Sequence, residues 1–270
     1  MISVISIIND ERKARQFLRR GLSLQNTKLE LFLVDNRASI YRSASQAYNQ
    51  TGVKASGDYL MFIHQDVFLR SRNWLKEAED WLSTLSDVGL AGVVGMRKPR
   101  FINQLEVSMR YFLLRKLGKL YLWFRHYGRG NVVHGHEKAP WEGSFVSDVV
   151  PVQTLDELLL IVPSKIFEHT KFDETVCNSW HLYGVEFSLR VSQRGHGVYV
   201  LPCSVFHDST GVVNDSYLQT LMKLIEKHKH EKIINTTNGL CLTKQILTKL
   251  LWSPDLISGR DLAKALTQDS

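Results

Sequence analysis

Three short apolar runs, each ending abruptly in a polar cluster, constrain this chain most. Ser3-Val4-Ile5-Ser6-Ile7-Ile8 runs into Asn9-Asp10, Glu30-Leu31-Phe32-Leu33-Val34 into Asp35-Asn36, and Tyr59-Leu60-Met61-Phe62-Ile63 into His64-Gln65-Asp66. Runs of this length, rich in β-branched and aromatic residues, read as buried strands. The stretches between them have helical spacing. Arg12 to Gln25 puts Phe17, Leu18 and Leu22 on one face, and Tyr41 to Lys54 is a polar, alanine-containing helix closed by Ser56-Gly57. An amphipathic helix over Trp74 to Leu85 and a Gly-rich strand over Val88 to Met96 continue the rhythm. Such β-α-β alternation predicts an α/β fold with a mostly parallel sheet and helices on both faces. Ligands on these sheets bind beyond the carboxyl ends of the strands, so the three polar clusters should converge on one crevice.

Beyond residue 148 the pattern resumes. Strands are expected within Val149 to Val162 and over Gly197 to Pro202, and helices over Gly184 to Arg194, Tyr217 to Lys229 and Lys244 to Trp252. The interval from Arg97 to Ser147 breaks the rhythm. It is basic and aromatic, with a possible amphipathic helix over Gln104 to Tyr127 and an expected mobile loop over Gly128 to Trp141. The expected organisation is one α/β domain over residues 1–215, carrying residues 97–147 as an insertion or lid, and a helical extension over residues 216–270.

At 44% hydrophobic and 23% charged residues, the chain has an ordinary globular composition, which argues against wholesale disorder. The formal charge of +7 suits nucleic acid, an anionic membrane surface or a phosphorylated substrate, and does not choose among them. Nucleic acid is the weakest reading, because no recognised binding module accompanies the charge. Cys177, Cys203 and Cys241 are widely spaced and odd in number, so free buried thiols are expected rather than a disulfide framework or a thiolate metal site. The apolar start, Met1 to Ile8, lacks a basic flank and a cleavage site and is not read as a signal peptide. No run has the length of a membrane span. The sequons at Asn49, Asn214 and Asn235 are expected to be idle.

The His64-Gln65-Asp66 triplet is the sharpest chemical signal. A strand end holds a carboxylate rigidly toward the crevice, where Asp66 can bind Mg²⁺ or Mn²⁺ and the ion can bridge a diphosphate. Taken alone, the triplet reads more readily as a strand-end Asp capping the next turn. Its surroundings decide the matter. Leu33-Val34-Asp35-Asn36, Ala47-Tyr48-Asn49-Gln50, Ala55-Ser56-Gly57-Asp58 leading into the third strand, Val152-Gln153-Thr154-Leu155-Asp156-Glu157, Phe172-Asp173-Glu174, Trp180-His181-Leu182-Tyr183-Gly184-Val185-Glu186 and Val205-Phe206-His207-Asp208-Ser209 follow in a specific order. In this order the chain resembles family 2-like bacterial glycosyltransferases of the GT-A fold, in the branch where H-Q-D stands in place of DxD. The resemblance covers residues 1–96 and 148–211.

The resemblance implies an inverting, metal-dependent transfer of a sugar from a nucleotide diphosphate to a hydroxyl of a glycan or lipid-linked acceptor, as in capsule or lipopolysaccharide assembly. It implies Asp66 and His207 as ligands for Mn²⁺ or Mg²⁺. Asn9 and Asp35 would hold base and ribose, with Ile8, Asn36, His64 and Gln65 completing the nucleotide-sugar site. Related proteins place the catalytic base in an Asp-rich segment before a helix. Here the usual first aspartate is Gly184 and Glu186 falls on the second, a departure that opens the identity of the base. Glu186 is the first candidate, His181 the second, and Asp156 lies where related proteins contact acceptor or sugar. Glu186 and Asp156 also have structural readings: a helix-start Glu favoured by the macrodipole for Glu186, and a turn cap for Asp156. A non-catalytic nucleotide-sugar-binding protein is the alternative if the base is lost. The basic Arg97–Lys138 stretch fits a membrane-surface helix, a lid over the donor or a solvated helix packed on the domain. A cytoplasmic protein, peripheral at the inner face of the membrane if the first reading holds, is the expected setting.

Overall fold

The computed structural model describes residues 1–98, 127–135, 139–140, 144–209, 214–231 and 233–242. The expected helices over Gln104–Tyr127 and Lys244–Trp252, and the greater part of the basic stretch, lie outside these residues.

The centre is a seven-stranded sheet in the order β10-β13-β5-β12-β3-β1-β2. Its strands are β1 (Ile2–Ile8), β2 (Glu30–Asp35), β3 (Tyr59–Ile63), β5 (Val88–Gly92), β10 (Val150–Pro151), β12 (Leu159–Pro163) and β13 (Gly197–Val200). β1 runs parallel to β2 and β3, and β13 parallel to β5. β12 is inserted antiparallel between β3 and β5, so the sheet is mixed as well as largely parallel. The antiparallel register pairs Leu159 with Ile63. The residues just before β12 therefore sit beside the residues just after β3.

Side-chain alternation along the strands divides the core. From β3, Leu60 and Phe62 face one cluster with Tyr48, Phe167, Phe172 and Phe187, while Met61 and Ile63 face the other with Leu18, Trp74 and Leu75. The first cluster is covered by α3 (Ala44–Gly52), α5 (Ser164–His169) and α6 (Tyr183–Gln193). The second is covered by α4 (Trp74–Ser83) and the first helical segment, which is α1 (Glu11–Ala14), a π-turn over Arg15–Arg19 and α2 (Arg20–Ser23). Asp10 caps that segment by accepting from the N–H groups of Arg12 and Lys13.

Two expectations are corrected. The apolar run Val88–Met96 is broken at Val93: β5 stays in the central sheet, while β6 (Val94–Met96) joins β11 (Thr154–Leu155) and β7 (Gly128–Gly130). The expected loop from Gly128 contains strands: β7, β8 (Val132–His134) and β9 (Ala139–Pro140). Glycine is what permits β7 to pair with β6, because a Cβ on Gly130 would stand 2.5 Å from the Val93 carbonyl oxygen. β8 lies parallel to β14 (Val205–His207), which also pairs antiparallel with β4 (Val67–Leu69).

Beyond residue 215 the chain is not purely helical. After α7 (Asp215–Lys227) comes a hairpin of β15 (Ile233–Thr236) and β16 (Gly239–Leu242). The β-branched residues of β15 and the two-residue Thr237-Asn238 turn favour this hairpin. β15 is buried, and Gln153 joins it to the domain by donating to the Ile233 carbonyl at 2.7 Å and accepting from the Asn235 N–H at 3.0 Å. Cys177 and Cys203 are free and buried, and Cys241 lies in β16. No helix among the described residues is long and apolar enough to cross a membrane.

Candidate metal and donor site

The ends of β1, β2 and β3 lie side by side, as the register Ile8 to Asp35 and Ile5 to Phe62 requires. His64-Gln65-Asp66 follows β3, and each of its residues has a different partner. Gln65 clamps the end of β1. Its Oε1 accepts from the N–H groups of Asn9 and Asp10, both at 2.9 Å, and its amide donates to the Asn9 side chain.

Asp66 meets His207 because β14 and β4 are paired. His207 is opposite Val67, and the Asp208 N–H donates to the Asp66 carbonyl at 3.0 Å. His207 Nε2 is 3.4 Å from Asp66 Oδ1, and His64 closes the group: one ligand atom from each of His64, Asp66 and His207 falls within 4.8 Å of the others. His207 is buried and its Nε2 has no hydrogen-bond partner among the described residues. Asp66 and the rings of His64 and His207 thus form a compact set of donors of the kinds that suit a divalent cation. Burial pushes the Asp66 carboxyl up, but His207 with its Nε2 at 3.4 Å, and His64 beside it, outweigh burial and hold it at about 2. Burial, aided by the neighbouring His207, pushes the His64 imidazole down. An ionised carboxylate and a neutral imidazole are the forms that bind a divalent cation.

The tautomer of His64 follows from its contacts. Its Nε2 is 3.0 Å from the Tyr183 hydroxyl, and that hydroxyl donates to the Glu157 carbonyl at 3.3 Å. Both bonds are made together only if Nε2 carries the proton, which leaves Nδ1 as the free ligand atom.

Two further side chains reach the group without having been singled out in the sequence. Lys13 places its ammonium 3.9 Å from Asp66 Oδ2 and 3.3 Å from Asp208 Oδ2. His134, opposite His207 in the β8–β14 register, has Nδ1 3.3 Å from His207 Nδ1 and 3.0 Å from the Ser209 carbonyl. Burial and His207 push its imidazole down. The capped helix start at Asp10 was the available signal for Lys13. His134 had none, since its strand lies in the interval read as a loop.

The expected donor residues divide. Asn9 is exposed at the end of β1, immediately after the buried Ile8. Asp35 is exposed and paired with Arg37 (Nη2 to Oδ2, 2.5 Å); hydrogen bonds from the Arg37 side chain and backbone hold its carboxyl at about 2. Asn36 is buried and structural: its N–H donates to the Ile8 carbonyl and its side chain bridges the backbone N–H and carbonyl of Tyr41.

The candidate bases are scattered. Asp156 accepts from the Leu158 N–H at 3.1 Å and from the Thr237 hydroxyl at 2.6 Å, so its turn-capping role is realised and the C-terminal hairpin reaches it. His181 packs edge-on against Tyr217 of α7, 5.6 Å between ring centres, and burial pushes its imidazole down. Glu186 is directed away from the crevice chemistry into a buried ionic network. It accepts from Arg190 (Nη2, 2.8 Å) and Lys227 (2.5 Å), with His228 Nε2 at 3.5 Å, and its side chain is 1% exposed. Both oxygens are engaged, which leaves none to accept a proton from an acceptor hydroxyl. The expectation that Glu186 is the base meets this physical obstacle.

Glu157 follows Asp156 in the chain. It lies in the turn before β12, against Gly184: a Cβ at position 184 would be 3.3 Å from Glu157 Cγ. Its Oε1 is shielded from solvent and has no hydrogen-bond partner among the described residues. Burial first, then the charge of Asp156, push its carboxyl up to about 8 against the opposing backbone N–H groups of Glu157, Gly184 and Leu182.

The arrangement is a group of one carboxylate and two imidazoles beyond the carboxyl ends of a largely parallel α/β sheet, of a composition that could hold a metal ion. The chain belongs to a glycosyltransferase-like family, whose model matches residues 3–237. No curated protein matches its sequence. Among solved structures it is similar to residues 1–349 of TarS from S. aureus, with a TM-score of 0.50 at 12% identity, covering 84% of this chain and 64% of that one. It is also similar to the mannosyltransferase PcManGT from Pyrobaculum calidifontis in complex with GDP-Man and Mn²⁺, with a TM-score of 0.52 at 14% identity, covering 85% of this chain and 64% of that one. The chain thus spans just under two thirds of the length of these structures, and the shared feature is the GT-A fold.

Proposed function

We propose that this chain is a metal-dependent glycosyltransferase moving a sugar from a nucleotide diphosphate sugar to a hydroxyl of a glycan or lipid-linked acceptor, with inversion. The observation that carries this reading is the orphaned, buried His207 Nε2 facing Asp66 with His64 alongside. The donor set of one carboxylate and two imidazoles suits Mn²⁺ better than Mg²⁺, which favours oxygen ligands. When bound, the ion supplies charge neutralisation to the departing diphosphate. Asp66, His207 and His64 would hold it. Lys13 adds a point charge for the phosphates, and Asn9 and Asp35, at the ends of β1 and β2, would hold the nucleoside. TarS has been solved with UDP and with UDP-GlcNAc, and PcManGT with GDP-Man and Mn²⁺, so uridine and guanosine donors are the first to try.

The test is a thermal-shift screen of nucleoside diphosphates and their sugars with and without Mn²⁺, on wild type, Asp66→Asn and His207→Ala. A ligand that binds the native state raises the apparent melting temperature. The expected result is a Mn²⁺-dependent rise in wild type that both variants lose. No rise with any nucleotide would sink the reading, and a rise without turnover on any acceptor would favour a nucleotide-sugar-binding protein.

A further inference from the structure

The family resemblance implies a carboxylate at position 184, where this chain has glycine, and the space its side chain would have used is not empty. An added Cβ would meet the Leu155 carbonyl at 3.1 Å, Glu157 Cγ at 3.3 Å and Leu160 Cδ1 at 3.3 Å. The side chain of Glu157 thus comes from the opposite wall of the same spot. It is brought there by the antiparallel β12: Leu159 pairs with Ile63, the His64 N–H donates to the Leu158 carbonyl at 3.0 Å, and Glu157 is the next residue along. The same residue's carbonyl accepts from Tyr183, whose hydroxyl is 3.0 Å from His64. Glu157 is therefore one hydrogen-bonded side chain away from the candidate metal group. The other carboxylates are committed: Asp156 to Leu158 and Thr237, and Glu186 to Arg190 and Lys227. The Glu157 carboxyl meets the backbone N–H groups of Leu182 and Gly184 at the start of α6, and its Oε1 has no hydrogen-bond partner within the described residues.

We propose that Glu157 is the general base of this site, supplying from the β11–β12 turn the carboxylate that position 184 lacks. This rests on the transfer reading above. In the step, the acceptor hydroxyl gives its proton to the Glu157 carboxylate as its oxygen bonds to the anomeric carbon. The bond from that carbon to the phosphate oxygen breaks, and its electron pair leaves with the nucleoside diphosphate. With water as acceptor the same balance gives free sugar and nucleoside diphosphate. A carboxyl held at about 8 is roughly one-tenth ionised at pH 7 but is a strong base once ionised. The ionisable groups facing Glu157 are Asp156 on its own turn, Tyr183 on α6 and Cys177 in the segment leading to α6.

The test uses the full chain, Mn²⁺ and a panel of UDP- and GDP-sugars, and reads nucleoside diphosphate release with water as acceptor beside the Mn²⁺-dependent thermal shift with UDP and GDP. Glu157→Gln should keep the thermal shift and lose about 10²- to 10⁴-fold in release, the usual contribution of a positioned base. Wild-type release should rise with pH through about 8, and this limb should be absent in the variant. Glu157→Asp should recover part of the rate. Glu157→Ala combined with Gly184→Asp, which returns the carboxylate from the other wall, should exceed Glu157→Ala alone, and this comparison decides the matter if Glu157→Gln folds poorly. Release by Glu157→Gln at the wild-type rate, or a double variant no better than Glu157→Ala, overturns the assignment while the nucleotide shift leaves the transfer reading intact. A wild type with no nucleotide shift overturns both.

Discussion

Replacing Glu186 by Gln separates a structural carboxylate from a catalytic one. Glu186 lies 1% exposed between Arg190 and Lys227, with His228 also buried beside it. Burial pushes its carboxyl up, but the hydrogen bonds and charges of His228, Arg190 and Lys227 prevail and hold it at about 2 against an ordinary 4.5. At 1.36 kcal/mol per pKa unit, that depression is equivalent to about 3 kcal/mol of native stability above pH 4.5. Because the folded value is the lower one, this stability is present in full above the unfolded pKa and disappears as pH falls through the folded pKa. Glu186→Gln keeps the shape but removes the charge from Arg190 and Lys227, so a loss of about 3 kcal/mol is expected, at the lower end of what breaking a buried pair costs. For a chain of this size that is roughly 6–12 °C in melting temperature. Calorimetry at pH 7 should show this gap, and repeating it at successively lower pH should show the gap closing between pH 4.5 and 2. The folded variant should still bind nucleotide and release it at close to the wild-type rate. A variant that melts within ~2 °C of wild type at pH 7, below the expected range, yet has lost turnover, would refute the structural reading and restore Glu186 as the base.

Other perturbations act on separate parts of the site. Tyr183→Phe removes the hydroxyl that accepts from His64 while keeping the ring packed against Tyr48 and Phe172. Mn²⁺ affinity, measured by titration calorimetry, should fall about 10- to 100-fold, as is usual when the partner of a metal-ligating His is lost. Lys13→Met should weaken nucleoside diphosphate binding by about 10-fold, roughly 1.4 kcal/mol, with the difference shrinking at high salt; an unchanged affinity would place the ammonium outside the phosphate site. Gly130→Ala puts a methyl 2.5 Å from the Val93 carbonyl oxygen, a contact that backbone must yield to. It should destabilise by about 1–3 kcal/mol in denaturant unfolding, because β7 carries the chain into β8 and His134.

The parts of the site that could be read from the sequence are those whose position depends on strand ends alone. Asn9, Asp35 and Asp66 each follow an apolar run, and parallel pairing of β1 with β2 and β3 necessarily brings these ends together. His207 could be placed only through a family resemblance, since its approach to Asp66 depends on β14 pairing with β4, three residues whose pattern alone specifies no partner. The parts that could not be read depend on register and on small residues. His134 reaches His207 because Gly130 lets β7 lie against β6 and the next strand then runs beside β14; the same glycines, read locally, signal a loop. Glu186 was chosen for its place after Gly184 in the helix-start motif. Position along a helix does not reveal which face is buried by a partner from forty residues away, and Lys227 and His228 of the C-terminal segment supply that burial. Glu157 was the hardest to single out. It lies beside an acidic neighbour in an ordinary-looking turn, and it gains significance only when an antiparallel strand in an otherwise parallel region turns it toward the gap at Gly184. In the assignment proposed above, the carboxylate that position 184 lacks comes instead from the wall that β12, inserted antiparallel between β3 and β5, brings round.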